Sequence, residues 1–442
     1  MIHYKNKMQC GFLCNVNTSA KLSYLAKFLI SLFFFLVTCE YTLTCYAGET
    51  NFHIASEIDF QAAKSLQDDL EHTEFQNIPN QAVIFDHDSF VKVKVFHLNN
   101  SLEYGGELSL LTTSKTNKSV INNGSYIYIG SDSYGKLHFG LISDAANTIS
   151  SGPYSIALGS GNWYTYAVLN NTKDNIEYML YHDSYIYGMS GYNKKTYYTP
   201  PPLTISYISP KYSGVQFGIS YIPANFLTKK NKQRDNVNLR SIGTDQSNSY
   251  TSYIIEHRLK NIVTGTASVE GSLSELIDFK MSVGGKVGSA IQKDTSDNIL
   301  ADEHKIEDLM SYDIGGLLTY KNFALGLSYY DLGKSLSSPI VDKNRDQTHH
   351  LSLALSYTNG PVGLSFMYEK SAHRLNKVQA YTLGSSYKLS EILTSYADIT
   401  YFNSIGTDQN HKIETQNAAQ KPQKTKGTIF ILGLKLGFDS GQ

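Results

Sequence analysis

Apolar and polar residues alternate along much of this chain, in segments of about ten residues separated by turn residues. Leu325, Leu327 and Tyr329 alternate with Ala324, Gly326 and Ser328. Leu351, Leu353, Leu355 and Tyr357 alternate with Ser352, Ala354 and Ser356. Val362, Leu364, Phe366 and Tyr368 are spaced by Gly363 and Ser365. Phe430, Leu432, Leu434, Leu436 and Phe438 are spaced by Ile431, Gly433, Lys435 and Gly437. Successive side chains of a strand point to opposite faces, so each segment predicts a strand with one greasy face and one small or polar face. A soluble sandwich usually carries more charge on its second face. Leu and Tyr opposite Gly and Ser favour lipid outside and water inside.

This pattern predicts strands near 51–62, 89–98, 101–113, 124–131, 135–142, 203–209, 214–222, 250–258, 262–271, 277–287, 309–320, 323–331, 347–358, 362–370, 378–388, 392–403 and 427–438. A bacterial transmembrane barrel with both ends on one side needs an even number. Merging 250–258 with 262–271 gives sixteen. The fold class is therefore all-β, a transmembrane antiparallel β-barrel of about sixteen strands. Phe60, Ala63, Leu66 and Leu70 also sit at helical spacing, so 60–74 is an alternative short helix. The 143–202 stretch lacks strong alternation and is long, as a functional loop is.

The connections sort by length. Asn99-Asn100, Lys321-Asn322, Asn359-Gly360-Pro361 and Leu389-Ser390-Glu391 are short turns, whereas 223–249, 288–308, 332–346 and 404–426 are long and polar. Short turns at one end and long loops at the other are the mark of an outer-membrane barrel. After Ala47 no run of eighteen apolar residues occurs, so no further membrane helix is expected.

Composition sharpens the picture at three points. The chain holds 33 Tyr against one Trp, and Tyr suits both strands and the lipid–water boundary. Lys21 and Lys27 precede the apolar run Phe28 to Val37, and Cys45-Tyr46-Ala47 follows. That order reads as an export signal over 1–47, cleaved before Gly48, with translation starting at Met1 or Met8. All four cysteines (Cys10, Cys14, Cys39, Cys45) lie on the removed side, so the exported chain closes its structure without disulfides. The net charge of −1 and the absence of a basic block exclude nucleic acid as a partner class.

Several segments resemble the general porins of Gram-negative outer membranes, alphaproteobacterial type. The strongest runs from Ile205 through Tyr207-Ile208-Ser209-Pro210, Gly214 and Phe217-Gly218 to Ser220-Tyr221. A second is Leu102-Glu103-Tyr104-Gly105-Gly106-Glu107-Leu108, and a third spans Tyr126–Gly130 and Tyr134–Gly140. In that family the third hairpin leads into a loop that folds back and narrows the pore, which here implies 143–202. Gly433, Leu436 and Phe438 look like the terminal signal read by the barrel-assembly machinery, although Asp439–Gln442 follow the usual last aromatic residue. The resemblance implies a homotrimer in outer-membrane lipid, delivered by periplasmic chaperones, with no cofactor.

A diffusion pore needs opposed charges at its narrow point and no catalysis. By parity with Val91, Val93 and Val95, Lys92 and Lys94 face the lumen. Glu103 and Glu107 face it by parity with Leu102, Tyr104 and Leu108, and Lys136 and His138 share the inner side of 135–142. If 143–202 folds inward, Asp144, and also Asp174 or Glu177, would oppose this basic wall. Enzyme signals are poor. Gly284-Gly285-Lys286-Val287 lacks the spacing of a phosphate loop, His349-His350 points to opposite faces, and no Gly-x-Ser-x-Gly elbow occurs. Two rival readings are a surface adhesin or antigen using loops 223–249 and 404–426, and a soluble secreted β-propeller.

Overall fold

The computed structural model describes residues 49–67, 83–99, 101–113, 120–159, 201–225, 235–237, 253–293, 307–335, 348–373, 376–406 and 423–440. The expected signal over 1–47 lies outside them, as do Asp174 and Glu177. The first strands are β1 (Glu49–Gln67), β2 (Val83–Asn99), β3 (Leu102–Thr113), β4 (Ile121–Ser131) and β5 (Gly135–Leu141). A short helix α1 (Ala145–Ile149) and a 3-10 turn at Pro153–Ser155 follow. Next come β6 (Leu203–Ile208), β7 (Val215–Asn225), β8 (Asp235–Val237), β9 (Tyr253–Ser274) and β10 (Ile277–Lys293). The rest are β11 (Leu309–Tyr320), β12 (Phe323–Gly333), β13 (Thr348–Asn359), β14 (Val362–His373), β15 (Asn376–Lys388), β16 (Leu393–Gly406) and β17 (Gln423–Asp439).

Every pairing is antiparallel, and the sheet closes on itself because β1 pairs with both β2 and β17. β7 pairs directly with β9, leaving β8 as a three-residue stub on β9 outside the ring. The result is a closed barrel of sixteen strands. The helical alternative for 60–74 is overturned as far as Gln67: Phe60 to Gln67 pair residue by residue with Leu434 to Gly427. Helical spacing at Phe60, Ala63 and Leu66 gave way to the ladder that closure demands.

The merged strand is real, and its midpoint explains why the sequence looks broken there. Leu259 and Ile262 are both buried while Lys260 and Asn261 are both exposed. Asn261 has φ +53°, and the register with β10 slips between Val287 and Ser289. One extra residue flips the facing of everything beyond it, which is the effect of a β-bulge. The stub β8, inside the stretch read as a polar loop, is too short to show any period.

The two ends of the barrel differ as expected. Residues 132–134, 275–276, 321–322, 360–361 and 389–392 make short turns at the end that also holds the start of β1 and the end of β17. Outward positions are apolar and exposed: Leu325, Leu327, Leu355, Leu364, Leu383 and Leu432 are 42–65% accessible. The inward Ser328, Ser352, Ser356, Ser365 and Thr382 are buried. Leu436 and Phe438 point outward and Gly433 inward. The residues after Phe438 lengthen the closing seam. Asp439 pairs with Ala55 and places its carboxylate on His53, while Ser440 donates its N–H to Ile54 O at 2.9 Å and accepts from Ile54 N at 2.8 Å.

Candidate solute channel

Among the described residues, six of the seven charged or titratable ones predicted to line a pore come together on one patch of the inner wall. Register explains it. Lys94 faces Glu107 across β2–β3, Glu103 faces Gly130 across β3–β4, and Gly130 faces Lys136 across β4–β5. Inward side chains of four neighbouring strands therefore form one cluster. Glu103 sits at its centre, accepting from Lys94 Nζ at 3.2 Å, Lys136 Nζ at 2.7 Å and the Tyr128 hydroxyl at 2.6 Å. Lys92 lies 3.4 Å from Glu107. The Lys94 ammonium also rests over the rings of Phe96 and Tyr128, at 4.6 and 5.1 Å. His138 packs against Tyr126 and Tyr128 at 5.5 and 5.8 Å between centroids.

The patch is mixed in sign but not in exposure. The side chains of Lys92, Lys94 and Lys136 are 39, 25 and 35% accessible, against 15% for Glu103 and 13% for Glu107. The lysine side chains are therefore the more accessible part of the patch and the carboxylates the recessed part.

Asp144 is not among them. It is fully buried, and its carboxylate caps α1 through Asn147 N at 3.1 Å, takes a bond from Thr264 Oγ1 at 3.2 Å, and pairs with the equally buried Lys286 of β10. The expectation that it opposes the basic wall is corrected: it faces the barrel wall and fastens the segment that carries it. Lys286, discounted as a weak phosphate-loop lysine, is its counter-ion.

From Asp144 to Gly159 the chain lies inside the barrel and crosses the inner wall. Ala145 N donates to Ser220 Oγ of β7, and Ser151 N to Ser282 Oγ of β10. The Tyr154 hydroxyl bonds His350 Nε2 of β13 at 3.1 Å and Glu369 of β14, and Leu158 N bonds Ser365 Oγ at 2.9 Å. Small inward residues make room. A Cβ on Gly315 would come within 1.8 Å of Ser151 O, and one on Gly384 within 1.9 Å of Leu158 O. Many of the Gly and Ser positions that the sequence assigned to solvent thus look at this segment instead. His350 is inward and His349 outward, as parity required.

Parity at the remaining inward positions adds a wall that sequence reasoning missed. Asp59, Asp86, Asp88 and Asp398 are all buried and inward on β1, β2 and β16, and Asp59 accepts the Tyr396 hydroxyl at 2.5 Å. Asp86 and Asp88 share the face of Lys92 and Lys94, so the same alternation could have found them. On β2 the loop-ward half is acidic and the turn-ward half basic. Among the described residues no group of three or more potential ligands converges on a metal-sized point.

The model of one family, Gram-negative porin, matches residues 80–407. The chain belongs to the Gram-negative porins. This porin is similar to an uncharacterised protein of Rickettsia bellii, 30% identical over 365 residues, covering 77% of this chain and 81% of that one. A Rickettsia prowazekii relative is 29% identical over 369 residues, with the same coverage. Among solved structures, OmpF of Salmonella typhi shares 10% identity and a TM-score of 0.50, over 88% of this chain and 98% of that one, which is a likeness of fold. Family and barrel together place the porin in an outer membrane, as a channel.

Proposed function

We propose that this porin lets small hydrophilic solutes and ions diffuse passively, with segment 144–159 and the Lys92–Lys136 patch setting size and charge preference. The observation that carries this reading is the closed wall with a polar inner face and a polypeptide segment lying within it. A solute passing the patch meets three accessible ammonium groups and two recessed carboxylates, so the local field favours anions near the turn end. The proposal extends to a cleaved signal over 1–47, a homotrimer, delivery by periplasmic chaperones and assembly through the terminal strand. No observation favours the adhesin reading, and its loops lie largely outside the described residues.

Liposome swelling tests permeation directly. Vesicles carrying the purified porin are expected to swell in isosmotic pentose and hexose, and progressively more slowly in di- and trisaccharide, without saturation. Swelling no faster than empty vesicles in the smallest sugar would reject the channel.

A further inference from the structure

We infer that the outward face of β14–β17, at the loop end of the barrel, is a docking platform for the anionic phosphate headgroups of the surrounding lipid leaflet. The inference rests on the membrane-spanning fold and not on permeation.

Register builds the platform in rows. Tyr368, Tyr381 and Tyr401 are direct cross-strand partners on β14, β15 and β16, all facing outward, with Thr428 of β17 completing the row. Aromatic hydroxyls at this position mark the boundary between acyl chains and headgroups. Two residues further toward the loop end, Lys370, Gln379, Asn403 and Lys426 form the next row, again by direct pairing. Beyond it lies Ala372, Lys377, Ile405 and Lys424. The four lysines are exposed. They span three strand spacings, roughly 14 Å, which suits the headgroups of one or two lipids.

Charge on this face is of one sign. No Asp or Glu occupies an outward position on the described parts of β14–β17, because Glu369, Asp398 and Asp439 all point inward. Four cations above a tyrosine row, beside two amides able to donate to phosphate oxygens, are complementary to anionic headgroups. Lysine stems can lie along the apolar wall while the ammonium reaches the headgroup layer. The outward loop-end positions of β11 and β12 differ: Met310, Tyr312, Ile314 and Tyr329 carry no cation, and Asp331 accepts from the Tyr312 and Tyr329 hydroxyls.

The chain's single Trp allows a clean test. In a Trp163→Phe background, Tyr381→Trp reports on the platform and Ile314→Trp on the cation-free sector. Each porin is refolded into phosphatidylcholine vesicles containing either brominated phosphatidylglycerol or brominated phosphatidylcholine, and fluorescence quenching is compared. The Tyr381→Trp reporter is expected to favour phosphatidylglycerol by about threefold or more, falling toward parity at 1 M salt, while Ile314→Trp shows no preference. Replacing Lys370, Lys377, Lys424 and Lys426 by Gln is expected to abolish the preference, and replacing them by Arg to keep it. Equal quenching by the two lipids at Tyr381→Trp, or a preference untouched by the Gln set, would overturn the inference. Bilayer conductance is expected to be the same with either set, so failure here leaves the channel reading standing.

Discussion

A porin carrying Lys92→Glu and Lys94→Glu together is expected to shift its zero-current potential strongly toward cation selectivity in a salt gradient. The substitutions turn a cluster of three lysines and two glutamates into one of a single lysine, Lys136, and four carboxylates. They do so at the two positions whose side chains are 39 and 25% accessible, where a passing ion feels them most. Solvent screens charges at these positions, so the expected change in permeability ratio is severalfold up to about tenfold, the latter equivalent to about 1.4 kcal/mol. The backbone ladder is untouched and both side chains are wetted, so the barrel is expected to fold. Lys92→Gln with Lys94→Gln should fall between. Reversal potentials unchanged by the double charge swap would show that this patch lies away from the narrow point.

The second large effect is expected from Lys286→Met. Lys286 and Asp144 are both buried, and removing the ammonium leaves the carboxylate supported, among the described residues, only by the Asn147 N–H and the Thr264 hydroxyl. Stripping one partner from a buried pair typically costs about 3–5 kcal/mol. Here that cost falls on the docking of 144–159 against the wall, since the ring of sixteen strands keeps its own hydrogen bonds. The segment is expected to loosen, raising single-channel conductance and current noise and admitting larger sugars in swelling assays. Adding Asp144→Asn to Lys286→Met removes the stranded charge, and this double variant is expected to return toward the original cutoff, which isolates the charge from mere loss of packing. Unchanged conductance and cutoff in Lys286→Met would mean that the pair does not hold the segment.

Much of the barrel was legible because its rules are local. Alternation named the strands, turn residues such as Lys321-Asn322 separated them, and parity alone put Lys92, Lys94, Glu103, Glu107, Lys136 and His138 on the inner wall. Adjacent strands then brought those residues together, because consecutive strands pair in an up-and-down barrel. What was not legible depends on contacts across the lumen. Asp144 meets Lys286 across 142 positions of sequence. No period encodes that pairing, so Asp144 read as a pore charge when it is an anchor. Inward glycines such as Gly315 and Gly384 looked like solvent-facing spacers, but their space is filled by Ser151 and Leu158. The bulge at Asn261 changed the phase of alternation in mid-strand and so imitated a strand break. Asp86 and Asp88 were within reach of the same parity argument and fell just before the predicted start of their strand at 89.

The central claim is that the space inside this barrel conducts, and planar-bilayer recording of the purified, folded porin tests it most directly. The expected result is discrete, uniform current steps whose size rises with the conductivity of the bathing salt. Protein that migrates as a folded, heat-modifiable barrel and inserts into the bilayer, yet gives no steps at any concentration, would contradict it.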